Sequence, residues 1–201
     1  MTGHWEQQAR QGIASASRAC WDEPPAHWAK GVDHCLARIE PQLPREGVVL
    51  DLGCGVGRLL HPLAERHPNL QFRGVDSSVT MIRHALAANN KKPNVRLFTT
   101  DGQSIPDKRK LPSIAFCYSV LMLQHVPNAV VAGYIGQLAA RLDEQGSVLL
   151  QFVYGGDSGP LCHPRPVSVV CGLLAGQGLA FDVLAQDDVY PTWCWVKGWR
   201  S

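Results

Sequence analysis

Apolar residues follow two alternating patterns along this chain from about residue 47 onward. Short apolar runs that are typical of buried strands lie near residues 47–52, 71–76, 95–100, 113–119, 147–153, 181–187 and 192–198. Stretches with apolar residues at helical spacing lie between them, at 57–67, 78–90, 128–142 and 167–177. Strands that alternate with helices predict a doubly wound α/β fold of three layers, in which helices cover both faces of a mostly parallel sheet.

The last two predicted strands depart from the parallel arrangement. Only a short connection that contains Pro191 separates the strand at 181–187 from the strand at 192–198. A connection of this length cannot cross over the sheet, so these two strands are predicted to be antiparallel. The fold class predicted from the pattern is a seven-stranded, mostly parallel sheet with an antiparallel C-terminal strand.

Two segments lie outside the alternating pattern. Residues 1–44 carry widely spaced apolar residues and end at Pro41 and Pro44, which predicts a helical cover followed by a main domain at 45–201. Residues 154–166, YGGDSGPLCHPRP, follow the fifth predicted strand and are rich in glycine and proline. Such a segment does not hold regular structure, and we expect a surface loop there.

The most informative motif is DLGCGVG, which runs from Asp51 to Gly57 at the end of the first predicted strand. Glycines permit positive φ angles and let a ligand approach the backbone, and the following helix directs free N–H groups back at the turn. A dinucleotide fingerprint would place its third glycine at the position that Arg58 holds. An acid two residues before the first glycine would repel a pyrophosphate but suits a ligand that carries an ammonium group.

Two further acids, Asp76 and Asp101, follow the second and third predicted strands. A carboxylate in the first of these positions can accept hydrogen bonds from both hydroxyls of a ribose. One such acid alone would more commonly cap a helix or a turn. Acids at the ends of three successive strands, Asp51 included, favour a ligand site instead.

On these residues the chain resembles the class I S-adenosylmethionine-dependent methyltransferases, whose first motif matches Asp51 to Gly57 almost letter for letter. The resemblance covers about residues 45–201 and implies a Rossmann-like fold, S-adenosylmethionine (SAM) as cofactor, and a lid or substrate pocket built from residues 1–44 and 154–166. An antiparallel last strand beside the fifth is a feature of the same fold. The implied cofactor-binding residues are Asp51, Gly53, Cys54, Gly55, Gly57, Asp76, Ser77, Met81, Asp101, Gly102, Gln103, Tyr118 and Ser119.

Methyl transfer also needs an aligned nucleophile and, for a hydroxyl or ammonium group, a base. The stretch Leu123-Gln124-His125-Val126 after the fourth predicted strand resembles a segment of many small-molecule methyltransferases. His125 is the candidate catalytic base, because an imidazole titrates in the useful range. A histidine that only supports the loop is the alternative, and Tyr118 is either a wall of the cofactor site or part of the core.

Composition limits the partners and the compartment. The 201 residues carry a formal net charge of only +2, which does not predict a polyanionic partner. The seven cysteines have no C-x-x-C spacing and the eight histidines form no zinc pattern, so we expect no metal and a reducing, cytoplasmic environment. Neither a signal peptide nor a membrane-spanning run is visible.

These features favour methyl transfer to an oxygen or nitrogen of a small molecule. The chain lacks the Asn/Asp-Pro-Pro-aromatic element and the Pro-Cys nucleophile of DNA methyltransferases. Two alternatives remain: an RNA or DNA methyltransferase, based on the basic clusters Lys91-Lys92 and Lys108-Arg109-Lys110, and a non-catalytic SAM-binding scaffold. A nicotinamide-dependent Rossmann oxidoreductase is disfavoured by Arg58 and the terminal antiparallel pair. The methyl acceptor and the oligomeric state stay open.

Overall fold

The computed structural model describes residues 2–12, 25–89, 92–155, 162–184, 187 and 189–200. The chain is organised in two compact units, Met1–Gly102 and Gln103–Ser201. Each unit holds its own strands and helices, and each is described separately below.

The first unit begins with helices and continues as alternating strands and helices. Its elements are α1 (Thr2–Arg10), α2 (Pro25–Ile39), a 3-10 turn (Glu40–Gln42), β1 (Val48–Leu52), α3 (Leu60–Arg66), β2 (Gln71–Asp76), α4 (Val79–Ala88) and β3 (Val95–Thr99). Strand β2 pairs in parallel with β1 and with β3, so that Asp51 lies opposite Gly74 and Asp76 lies opposite Thr99. The carboxyl ends of the three strands therefore lie at one edge.

The second unit carries the other four strands. Its elements are β4 (Ile114–Ser119), a 3-10 turn (Leu123–His125), α5 (Asn128–Ala139), β5 (Leu142–Val153), α6 (Val167–Ala175), β6 (Leu179–Val183) and β7 (Trp193–Arg200). Strand β4 pairs in parallel with β5, whereas β7 is antiparallel to both β5 and β6. Every residue of β4 is buried, as expected for a strand that is covered on both faces.

The predicted fold class is confirmed. All seven predicted strands exist, their order is β3-β2-β1-β4-β5-β7-β6, and the antiparallel strand is the C-terminal one. The predicted short connection at Pro191 joins an antiparallel pair, as its length required.

Predicted boundaries differ from the observed ones by up to five residues, and two of these differences have a structural reason. The helix predicted over 128–142 ends at Ala139, because Leu142 is already the first residue of β5 and pairs with Ile114. An apolar residue at position 142 fits both a helical stripe and a buried strand, so the spacing of apolar residues cannot distinguish the end of the helix from the start of the strand.

The strand predicted over 181–187 ends at Val183. Asp187 is 1% exposed and lies in the following connection, where its carboxylate accepts hydrogen bonds from the backbone N–H groups of Val189 and Tyr190 and from Nε1 of Trp195. This buried aspartate ties Val189 and Tyr190 of the connection to Trp195 of β7.

The predicted N-terminal cover is helical where it is described. Helices α1 and α2 lie within residues 1–44, whereas residues 13–24, which include Ile13 and Trp21, lie outside the described residues. The boundary predicted between residues 44 and 45 remains a prediction. Residues 156–161 of the predicted surface loop also lie outside the described residues, and no helix within the described ranges is long and apolar enough to cross a membrane.

Candidate functional site

The glycine-rich motif forms a turn that is tied to the end of β2. The backbone N–H groups of Gly53 and Cys54 both donate to the carbonyl oxygen of Val75, at 2.9 and 3.0 Å. The Gly57 N–H donates to the carbonyl oxygen of Cys54 at 2.9 Å and closes the turn. The turn after β1 is therefore held at the carboxyl end of the neighbouring strand.

Two glycines of this turn serve different purposes. Gly57 has a φ of +80°, and a Cβ there would lie 2.5 Å from Nε2 of His61, so both conformation and packing require glycine. Gly55 has a φ of +53°, but nothing lies within 4 Å of the place where its Cβ would be. The turn is thus packed at Gly57 and open beside Gly55.

Asp76 lies at the end of β2 and faces this open side of the turn. One carboxylate oxygen accepts a hydrogen bond from the Gly55 N–H and the other accepts one from the Ser78 N–H, each at 2.9 Å. Burial raises the pKa of Asp76, and these backbone donors act against that rise because they favour the charged form. The Ser77 N–H is a third backbone donor to this carboxylate, which has about four lone-pair sites and can therefore still accept a hydrogen bond from a ligand.

Asp51 and Cys54 are buried where β1 enters the glycine turn. Asp51 is 4% exposed near the end of β1, and Cys54 is 6% exposed. The pKa of the Cys54 thiol is raised, first by burial and then by the negative charges of Asp51 and Asp76. Cys54 is therefore a protonated thiol that acts as a small apolar side chain rather than as a nucleophile.

Helix α1 contributes a carboxylate that the motif analysis did not identify. Glu6 Oε2 accepts hydrogen bonds from Ser78 Oγ at 2.7 Å and from the Thr80 N–H at 3.2 Å, and Glu6 Oε1 accepts one from Thr80 Oγ1 at 2.6 Å. These donors lower the pKa of Glu6 to about 2. Because Ser78 Oγ also accepts from the Met81 N–H at 3.0 Å, Glu6 stabilises the first turn of α4 directly and through its N-cap.

An apolar contact accompanies this polar one. Ala9 of α1, Val56 of the glycine turn and Met81 of α4 form a buried cluster. The carbonyl oxygen of Ala9 lies 3.1 Å from Nε2 of His84 on α4. Helix α1 thus packs on both the glycine turn and α4, and Met81, a predicted cofactor-binding residue, lies beneath it.

The segment after β3 completes this edge of the first unit. The Thr100 N–H donates to the carbonyl oxygen of Asp76 at 2.9 Å, and Gly102 turns the chain with a φ of +77°. Asp101 lies between them and is exposed. The first unit therefore brings the predicted residues of its three strand ends, with Ser77 beside Asp76, to one edge.

The other predicted residues belong to the second unit. Tyr118 and Ser119 end β4 and are fully buried, whereas Gln103 is exposed and its carbonyl oxygen accepts a hydrogen bond from Gln137 Nε2 at 2.9 Å. His125 is half-buried in the 3-10 turn that follows β4. The strand and the turn are thus in the places that the sequence predicted.

Arg165 fixes this 3-10 turn, which sequence reasoning did not anticipate. Arg165 is 2% exposed, and its guanidinium donates to the carbonyl oxygens of Leu123 and Val126, each at 2.6 Å, and to Asn128 Oδ1 at 2.9 Å. Burial lowers the pKa of Arg165. The residues on either side of His125 are therefore held by one buried side chain from the segment before α6.

No group of three or more histidine, cysteine, aspartate or glutamate side chains within the described ranges could hold a metal ion. Six cysteines, all but Cys20, lie among those ranges, and no disulfide joins any two of them.

Residues 49–146 match a family described as a methyltransferase domain. The chain is 37% identical over 75 residues to a trans-aconitate 2-methyltransferase of Streptomyces avermitilis, which covers 33% of this chain and 27% of that protein. It is 28% identical over 88 residues to a tRNA (guanine-N(7)-)-methyltransferase of Streptococcus mutans, which covers 42% of this chain and 36% of that protein. The chain therefore spans well under half the length of these two relatives.

Among solved structures, the chain is similar to a magnesium protoporphyrin IX methyltransferase from Synechocystis with bound SAM. The TM-score is 0.67 at 20% sequence identity, and the match covers 86% of this chain and 79% of the other. This similarity shows the fold. The domain match covers the motif at 51–57 and is in line with the resemblance predicted from it.

Proposed function

We propose that this chain belongs to the class I S-adenosylmethionine-dependent methyltransferases and moves a methyl group from SAM to an oxygen or nitrogen of a small molecule. The observation that carries the proposal is the turn at Gly53–Gly57, which is open beside Gly55 and bordered by the Asp76 carboxylate. Its residues lie within the part of the chain that matches the methyltransferase domain.

The residues of the first unit fit the cofactor chemically. A ribose presents two adjacent hydroxyl donors, and a carboxylate such as that of Asp76 is the acceptor that suits them. The space beside Gly55 lets a ligand reach the backbone, where any side chain would fill the gap. The buried negative charge of Asp51 suits the ammonium group of a methionine moiety. Ser77, Met81, Asp101 and Gly102 are the other proposed cofactor contacts in this unit.

Bound SAM would supply an electrophilic methyl group on a sulfonium whose thioether leaves without protonation. The chain's own task is to align the acceptor and exclude water, which contributes about 7–11 kcal/mol when the geometry is right. A hydroxyl or ammonium acceptor must also give up a proton as its O–C or N–C bond forms and the S–C bond breaks. We assign that proton to His125, and Gln103, Tyr118 and Ser119 are further proposed cofactor contacts.

A small-molecule acceptor is supported by the kind of relatives found and by the surface charge. The Streptomyces relative is named for a small organic acid, and the Synechocystis structure for a porphyrin. Among the basic residues of the two sequence clusters, Lys92 is paired with Glu65 at 3.5 Å. A net charge of +2 does not supply the attraction that nucleic acid binding requires.

The test is direct binding followed by turnover. Calorimetry with SAM and with its demethylated product should give saturable binding, and labelled SAM with a metabolite extract should give labelled small molecules. A well-folded protein that binds neither compound at millimolar concentration would refute the cofactor assignment. Binding without any methylated product would favour the scaffold alternative.

Transfer to RNA is the second candidate, because one relative is named as a tRNA methyltransferase. Under this alternative the protein should bind transfer RNA with an affinity that falls steeply as salt rises. Label incorporated into RNA but not into small molecules would decide for it. If no RNA binding is detected at low ionic strength, this candidate is rejected.

A further inference from the structure

The turn that follows β4 is held in an unusual conformation by side chains and backbone from outside it. Leu121 has a φ of +58°, the only positive φ of a non-glycine residue in the described part of the chain. Its N–H donates to Gln151 Oε1 on β5 at 2.7 Å, and the carbonyl oxygen of Gln124 accepts from the His163 N–H at 2.6 Å. A bulky residue in this conformation costs free energy and marks a position that the surrounding structure enforces.

Two polar atoms in this buried turn region lack partners. Gln124 is 3% exposed and Gln151 is fully buried. Within the described ranges, Gln124 Oε1 and Gln151 Nε2 are both inaccessible and have no hydrogen-bond partner. Buried polar groups are nearly always paired, because an unpaired one loses its water without compensation. The turn region therefore holds one unpaired hydrogen-bond acceptor, Gln124 Oε1, and one unpaired hydrogen-bond donor, Gln151 Nε2.

Both side chains lie at the carboxyl end of β4. In the β4–β5 ladder Ser119, the last residue of β4, pairs with Leu150, so Gln151 is the next residue of β5 along. Its bond to Leu121 places its side chain where the chain leaves β4, and the 3-10 turn that contains Gln124 packs against β5. In open α/β sheets, ligands bind outside the carboxyl ends of the strands.

From this placement we infer that Gln124 and Gln151 recognise a hydroxyl group of the methyl acceptor. A hydroxyl donates one hydrogen bond and accepts others, so it matches in kind both the free oxygen of Gln124 and the free N–H of Gln151. A carboxylate only accepts hydrogen bonds, so it could not pair with the Gln124 oxygen. An ammonium group only donates them, so it could not pair with the Gln151 N–H. The acceptor class is therefore hydroxyl compounds, an inference that rests on the proposed methyl transfer.

The thermal stability of Gln124→Met, measured in the absence of any methyl acceptor, tests whether the Gln124 oxygen is unpaired. The substitution keeps the volume and removes the unpaired oxygen, so the Tm should rise by about 2–4 °C. Gln137→Met is the matched control, because Gln137 Oε1 accepts from the Ile105 N–H at 2.9 Å and its Nε2 donates to two carbonyl oxygens. The control should lower the Tm. A Tm that falls equally in both variants would overturn the inference.

Turnover tests the acceptor class. Wild type is incubated with SAM and three sets of compounds: alcohols, phenols and sugars; carboxylates without a hydroxyl, such as trans-aconitate; and amines without a hydroxyl. Methylation should be confined to the first set, and Gln124→Met and Gln151→Glu should each lower kcat/KM by about tenfold while SAM affinity stays within twofold. Gln151→Glu keeps an oxygen for the Leu121 N–H and replaces the free donor with a second oxygen; because it also adds a buried carboxyl group, its Tm is measured beside its kcat/KM.

The outcomes separate the two proposals. If SAM does not bind to wild type, the proposed function fails, whatever the Tm of Gln124→Met. If SAM binds but hydroxyl compounds are never methylated, or if both variants keep wild-type kcat/KM, the inference about Gln124 and Gln151 fails while the cofactor assignment stands.

Discussion

The attachment of helix α1 to the first turn of α4 depends on a single carboxylate. Glu6 accepts three hydrogen bonds from Ser78 and Thr80, and its side chain is only 23% exposed. Hydrogen bonds to a charged group contribute about 1.5–3 kcal/mol each when they are buried, and partial exposure reduces that value. Glu6→Gln keeps the shape and one oxygen but removes the charge, so we expect α1 to lose about 1–2 kcal/mol of docking free energy.

Hydrogen exchange measures this loss locally. A change of 1–2 kcal/mol corresponds to a factor of about 5–30, so amides of residues 2–12, and the Thr80 amide that donates to Glu6, should exchange faster by that factor at pH 7. Arg10→Gln is the control, because Arg10 is 73% exposed and its pair with Glu6 is a surface contact within one helix. Its effect should be about twofold or less.

The same contact should depend on pH in a defined direction. The pKa of Glu6 is lowered from 4.5 to about 2, so the docked state favours the charged form. Its contribution is complete above pH 4.5 and is lost as the pH falls towards 2. The difference between wild type and Glu6→Gln, compared at equal pH so that intrinsic exchange rates cancel, should therefore shrink over this range. Equal exchange of the two proteins at pH 7 would refute the docking role of Glu6.

Three further predictions concern the candidate site. Gly57→Ala should lower the free energy of unfolding, measured in urea, by about 2–4 kcal/mol, because its Cβ would clash with His61 in addition to straining the backbone. Gly55→Ala adds backbone strain only and should lower it by about 1–2 kcal/mol. Equal losses in the two variants would contradict the packing described at Gly57. Asp76→Ala should weaken SAM binding by about 1.5–3 kcal/mol in calorimetry, and unchanged affinity in a folded variant would remove this carboxylate from the site. His125→Ala should reduce turnover by about 10²–10⁴-fold with little change in SAM affinity, and wild-type activity would make this histidine structural.

The fold was predictable because its signals are local. Buried strands, helical stripes and the glycine spacing of 51–57 are each set by a few consecutive residues, and the short connection at Pro191 dictated the antiparallel pair. Predicted element boundaries were wrong where the same side chain fits both a helix and a strand. Leu142 satisfies both a helical stripe and a buried strand, and only its pairing with Ile114 decides between them.

The candidate site was predictable in part, for the same reason. The acids Asp51, Asp76 and Asp101 were predictable because each lies at or just after the end of a strand, and parallel strands bring their carboxyl ends to one edge. Glu6 has no such signal, because 72 residues separate it from the serine that it binds. Its partner could not be inferred from spacing within either helix.

By itself, then, the sequence determined the alternation of strands and helices, the glycine turn and the acids at its edge, all of which follow from backbone geometry and short-range periodicity. Tertiary structure alone decided that Glu6 caps α4, that Arg165 holds the turn around His125, and that Gln124 and Gln151 are buried with free polar atoms. The physical reason is that burial and hydrogen-bond pairing are properties of surroundings, which chain segments far apart in sequence supply only once the protein has folded.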